Sequence, residues 1–244
     1  MLNALLLLLA GSLLAGCASP PSDPGGTWIN QAAIDAAARG ESLRESLLAF
    51  GPNLEWRIDP QQRSATFSNG FELGEGRLVD EQERQWRVEF PGDFQERLSL
   101  DHGELVQQAS QSWPEQRFTH PAVAAPADAP TGASFEHALY AAYLGGTWTI
   151  REGLGEGGLV LFHPDGSLEG LPGADRYALC LAGDCASMAG DHDSLWLQLG
   201  DQGRSWLFER DGKQLKIIEA LNDAAPDEIP EYRPGAQAWL LERD

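Results

Sequence analysis

Asp191-His192-Asp193 is the stretch whose side chains look most able to do chemistry. Alternating carboxylate and imidazole groups can hold a divalent cation, or orient a histidine for acid–base work. Consecutive residues on an extended chain point to opposite sides, however, so the three rarely converge on one ion. Two readings stand: a solvated loop ahead of a strand at Leu195, and an enzyme site near His192. Gly-x-Ser-x-Gly, Ser-x-x-Lys, His-Glu-x-x-His and the phosphate loop are all missing. The run Gly153-Leu154-Gly155-Glu156-Gly157-Gly158 matches no nucleotide fingerprint and precedes a strand, so it reads as a flexible loop. His102, His120, His137 and His163 stand alone and read as surface or linker residues. No catalytic residue, metal ligand or cofactor is assigned, and the expectation is a non-enzymatic protein.

Cys17 follows an apolar run from Ala4 to Leu14. That run is short of the roughly 20 residues a membrane span needs, and it suits the apolar region of a signal peptide. No Lys or Arg precedes it. Leu14-Ala15-Gly16-Cys17 resembles the lipobox of bacterial lipoproteins. The resemblance implies a signal peptide at 1–16, cleavage before Cys17, a diacylglyceryl thioether on its sulfur and an acyl chain such as palmitate on the new amine. One acyl chain binds membranes marginally, whereas two or more hold stably. Position 18 is Ala rather than the Asp that favours inner-membrane retention, which implies an outer-membrane lipid anchor on the periplasmic face. An ordinary cleaved signal with a chance cysteine is the plainer alternative.

Cys180 and Cys185 are then the cysteines left over, in an oxidising compartment. The turn-like Ala182-Gly183-Asp184 between them suits a local disulfide bond, worth roughly 2 kcal/mol in the chain-entropy picture. A redox pair and half of a metal site are the alternatives. Redox pairs are more usually C-x-x-C, and no second cysteine pair completes a zinc site.

The formal charge is −20, with −7 over residues 25–120 and −10 over 145–244, so the excess is no acidic tail. Such a field repels phosphate backbones and argues against nucleic acid. It also repels anionic lipid heads, leaving the acyl chains on Cys17 to hold the membrane. Solubility is the plain reading of the charge, and a cationic periplasmic protein is the partner it would suit.

These groups must be positioned by a chain that contains itself twice. Gly25-Gly26-Thr27-Trp28 returns as Gly145-Gly146-Thr147-Trp148 at an offset of 120. Gln82-Glu83-Arg84-Gln85-Trp86 faces Gln202-Gly203-Arg204-Ser205-Trp206 at the same offset. Between these landmarks, Trp56-Arg57-Ile58-Asp59-Pro60 resembles Val160-Leu161-Phe162-His163-Pro164 at an offset of 104. The first half therefore carries extra residues before this turn, and the second carries them after it, in the disulfide loop and Met188–Ser194. The early extra is helical: 31–50, with a Ser42-x-x-Glu45 capping box and a Gly51-Pro52 stop. Alternating runs at 85–90, 195–199 and 205–208 predict strands, and short strands between Gly, Asp and Pro turns predict antiparallel all-β structure. Phe135–Tyr143 reads as a short helix.

The expected organisation is a signal peptide at 1–16, a Pro-rich tether at 17–24, a first β domain at 25–120, an Ala/Pro-rich linker at 121–134 and a second β domain at 135–244. Both domains are read as small antiparallel β-barrels from an internal duplication. Trp28, Trp86, Trp148 and Trp206 are read as repeated core positions, with Trp56, Trp113, Trp196 and Trp239 joining the cores.

Gly-x-Trp at the head of a β-rich unit resembles lipocalin-like barrels, and META-domain lipoproteins are a comparable match. The lipocalin resemblance implies that the tryptophan closes one barrel end under a basic residue from a later strand. Arg84 over Trp28 and Arg204 over Trp148 are the expected pairs. Thr-Asp-Trp, the second lipocalin motif, is absent. The function expected is binding, either as an interaction module or as a carrier of a small apolar ligand, the latter marked by a cavity within a barrel.

Overall fold

The computed structural model describes residues 23–40, 42–111, 113–225 and 227–243. Cys17, and with it the lipobox, lies outside them. Period-2 alternation builds two all-antiparallel eight-stranded sheets. The first comprises β1 (Gly26–Ile29), β2 (Glu55–Asp59), β3 (Ser64–Ser68), β4 (Leu73–Gln82), β5 (Gln85–Glu89), β6 (Gln95–Asp101), β7 (Glu104–Gln107) and β8 (Gln116–Phe118), each paired to the next. Its ends meet where Ile29 and Thr119 exchange backbone hydrogen bonds of 2.7 and 2.9 Å, so the sheet curls into a nearly closed barrel. Trp28, Trp56, Trp86, Leu98, Leu105 and Phe118 pack its interior.

The second sheet comprises β9 (Gly146–Gly153), β10 (Leu159–Phe162), β11 (Leu168–Glu169), β12 (Arg176–Leu179), β13 (Asp193–Leu199), β14 (Gln202–Asp211), β15 (Gln214–Asn222) and β16 (Tyr232–Arg243). Here the first and last strands pair fully, and the seam falls between β11 and β12, crossed by a Ser167–Arg176 bridge. The chain thus forms two tandem up-and-down barrels of the same strand order. Gly26 and Gly146 both take positive φ (+114° and +112°), a conformation that favours glycine and accounts for the repeated Gly-Gly-Thr-Trp. Each following indole donates to the carbonyl four residues back, Trp28 to Pro24 and Trp148 to Leu144, both at 2.8 Å. Trp56 pairs with Trp28 as Val160 pairs with Trp148, so the 104 offset is kept in the register.

The later landmark behaves differently. Trp86 lies on the fifth strand of its barrel, but Trp206 lies on the sixth of its own. Arg84 occupies the β4–β5 turn, whereas Arg204 is already within β14. The two halves put their extra residues in different connections, so one sequence offset falls on different strands. Trp113 and Trp196, expected in the cores, are 42% and 43% exposed.

Helices α1 (Gln31–Ala38) and α2 (Leu43–Ala49) fill the β1–β2 connection, and α3 (Ala133–Tyr143) leads into β9. Ala33, Ile34, Leu43 and Leu47 join Phe135, Leu139 and Tyr143 in one buried cluster that runs on into the second barrel. The helical pair of the first half is therefore part of the second barrel's core, while the first barrel keeps a core of its own. The 121–134 segment is pinned rather than loose: Arg57 donates to the carbonyls of Ala129 (2.7 Å) and Pro130 (3.3 Å).

Each half caps helices of the other. The Ser42 side chain makes no cap hydrogen bond on α2, contrary to the expected capping box. Asp193 of β13 takes that role, accepting from the Leu43 and Arg44 N–H groups at 2.8 and 3.0 Å and from Ser42 Oγ at 3.2 Å. Arg210 of β14 donates to the carbonyls of Ala37 (3.1 Å) and Ala38 (3.4 Å) at the end of α1. Fully buried Glu55 of β2 accepts the Phe135 N–H at 2.8 Å in the first turn of α3. In each case the charge has the sign that the helix end favours.

Cys180 and Cys185 form a disulfide at the start of α4 (Gly183–Ala189). Its loop docks on the first barrel, with Leu181 against Gly70 and Gly183 against Phe71.

Candidate functional site

The strand directions give each barrel one end where the β1–β2 or β9–β10 connection emerges. In the first barrel this end is sealed. The helical pair covers it, above a polar girdle in which Gln107 Oε1 accepts from Asn53 Nδ2 (2.9 Å) and Trp56 Nε1 (3.1 Å). Gln116 Nε2 donates to the carbonyls of Asn53 (2.9 Å) and Phe50 (3.1 Å). Glu96 also points into this barrel, and burial raises its pKa above the usual carboxylate range.

In the second barrel the β9–β10 connection is only the glycine-rich loop after Gly153, and the end stays open. The opposite end is the one plugged by α3 and the junction. The open mouth holds a cavity of about 430 Å³. Its floor is Trp206 and Trp239, with ring centroids 5.1 Å apart, and Leu197. Its walls come from three connections: Leu154, Pro172 to Ala174, and Leu199 with Gln202 and Gly203. Trp239 Nε1 donates to the Leu154 carbonyl at 3.1 Å and so fixes the β9–β10 loop at the rim. Gly155, at φ +84°, packs on Pro172, where a side chain would collide. Leu154 and Leu199 are 71% and 54% exposed. Below this floor the barrel is packed with buried side chains. The arrangement can hold a small apolar molecule at its rim, and it does not enclose one along the barrel axis.

Arg204 is the charged group of this mouth. Its Cζ lies 3.8 Å over the Trp206 ring, not over Trp148. The cation over Trp148 is instead Arg243 of the last strand, at 4.6 Å, which also donates to the Tyr143 carbonyl at 2.7 Å. Trp28 stacks on His120, at 3.7 Å between centroids, rather than on Arg84. The residue over the first-strand tryptophan thus comes from the end of the last strand in the second barrel and from just beyond it in the first, where the last strand closes against the first. His120, expected at the surface or in a linker, is exposed; its stack on Trp28 and the placing of Arg243 over Trp148 were not legible in the sequence, because only barrel closure makes those contacts.

Asp191-His192-Asp193 is divided in the fold. Asp193 is committed to α2, and the His192 carbonyl accepts from Arg44 at 3.4 Å. Among the described residues no group of three His, Cys, Asp or Glu side chains is placed to hold a metal ion, and no helix is long and apolar enough to cross a membrane. No family model, curated protein or solved structure matches the chain.

Proposed function

We propose that the protein is a lipid-anchored, non-catalytic binding protein of the periplasm. Cys17 fastens it to the outer membrane, and the mouth of the second barrel takes a small ligand with apolar surface. The observation that carries this reading is the contrast between the two mouths. One is filled by its own helices. The other leaves a leucine rim open to solvent above two largely buried tryptophans, with a volume inside the range typical of small-molecule sites. The anchor rests on the Leu14-Ala15-Gly16-Cys17 motif.

The test is titration with N-phenyl-1-naphthylamine, an uncharged dye that brightens on entering apolar sites. Wild-type protein binds it, and the double variant Leu154→Asp/Leu199→Asp loses about tenfold or more in affinity. Both leucines are exposed, so the variant keeps the fold. Failure of the wild type to bind, or equal binding by the variant, refutes the mouth as the site. Incorporation of a palmitate analogue that disappears in Cys17→Ala tests the anchor separately.

A further inference from the structure

The mouth of the second barrel carries one cation, and its setting selects ligands. Most cations of this barrel are already engaged. Arg151, Lys216 and Arg233 pair with Glu242 (2.7 Å), Glu209 (3.1 Å) and Asp223 (2.6 Å). Arg210 and Arg243 are spent on backbone carbonyls. Arg204 differs: among the described residues no carboxylate lies within ion-pair distance of it, in a chain of formal charge −20. Stacking on Trp206 occupies one face of its guanidinium, and among the described residues its N–H groups have no hydrogen-bond partner. The in-plane N–H edge is the part that grips a carboxylate with two parallel hydrogen bonds. Beside it lie the apolar floor and Leu199.

We infer that the mouth recognises a single-chain anionic amphiphile, with Arg204 binding its carboxylate and the chain lying on Trp206, Trp239 and Leu197. This rests on the mouth being the binding site, and adds the ligand's charge and the residue that reads it. The closed floor and the cavity of about 430 Å³ limit the occupant to one modest chain rather than a two-chain lipid. The chain's net negative charge disfavours anions in general, so a preference for an anion at this mouth would come from Arg204, the charged side chain lining it.

The experiment compares decanoate, decan-1-ol and decyltrimethylammonium below their micellar concentrations, by calorimetry and tryptophan fluorescence on the purified protein. The expected order is decanoate first, about tenfold or more tighter than decanol, as a charge-assisted hydrogen bond at a partly exposed site supplies. Decyltrimethylammonium comes last. In Arg204→Gln the decanoate-to-decanol ratio falls to about one, and Arg204→Lys restores part of it. Equal binding of decanoate and decanol by the wild type, or a ratio unmoved by Arg204→Gln, overturns the role of Arg204 and leaves the mouth as an apolar site. Failure of all three chains to bind overturns the mouth itself. Sedimentation with phosphatidylglycerol vesicles, without binding of monomeric decanoate, would assign Arg204 to a membrane surface and overturn the inference.

Discussion

Replacing Asp193 by Ala should loosen the two barrels from each other. Its carboxylate accepts two backbone N–H bonds, at 2.8 and 3.0 Å, from the first turn of a helix that belongs to the other half of the chain. Loss of an N-terminal cap costs about 0.5–2 kcal/mol, and hydrogen bonds to a charged acceptor lie at the upper end of the net scale. Asp193 is only half-buried, so water replaces part of the loss, and the expected cost is about 2 kcal/mol. For a chain of this size that corresponds to a fall of roughly 4–8 °C in Tm. Asp193→Asn keeps one acceptor and loses the charge, and should cost about half as much. The assay is urea unfolding followed in parallel by far-UV circular dichroism and tryptophan fluorescence, with Asp191→Ala as the control. Asp191 is exposed, and its removal should change stability by no more than about 0.5 kcal/mol. A cost below about 0.5 kcal/mol for Asp193→Ala, or an equal cost for Asp191→Ala, would refute the argument that cap geometry across the junction is what matters.

Arg243→Ala should destabilise by about 2 kcal/mol, through loss of both the stack on Trp148 and the bond to the Tyr143 carbonyl. Arg204→Ala, an exposed stack alone, should cost about 0.5 kcal/mol; chemical denaturation giving the reverse order would return the barrel-end role to Arg204. Burial pushes the hydroxyls of Tyr140, Tyr143 and Tyr177 above the usual phenol range. Above about pH 10 the unfolded chain therefore binds fewer protons than the folded one, and stability falls as pH rises, by up to about 1.4 kcal/mol per pH unit for each tyrosine. Absorbance at 295 nm should show these three ionising only as the chain unfolds, and ionisation near pH 10 with circular dichroism unchanged would contradict this. Opening the Cys180–Cys185 ring by Cys180→Ala/Cys185→Ala should cost about 2 kcal/mol in the unfolded-state entropy picture. Because the loop docks on Gly70 and Phe71, hydrogen exchange in the 69–72 turn should rise as well.

What could be read along the chain was local. Period-2 alternation marks strands wherever one face is buried, so two antiparallel barrels were legible from runs such as 85–90 and 195–199. Glycine at positive φ ahead of each first-strand tryptophan is a backbone requirement, and it leaves a repeat visible at an offset of 120. The helical insert and the disulfide loop are likewise made of residues close in sequence. Barrel closure lay beyond that reach. It sets Arg243 over Trp148 and His120 over Trp28, pairs separated by about a whole barrel of chain. The packing of the two halves puts Asp193, not Ser42, at the head of α2, where a carboxylate is the stronger acceptor for two N–H groups. The matched Arg–Trp spacing misled, since unequal connections shift strand rank without altering a count of residues. Which mouth is sealed and which stays open depends on where the helical pair comes to rest, and hydrophobic burial is indifferent to the order in which its partners occur along the chain.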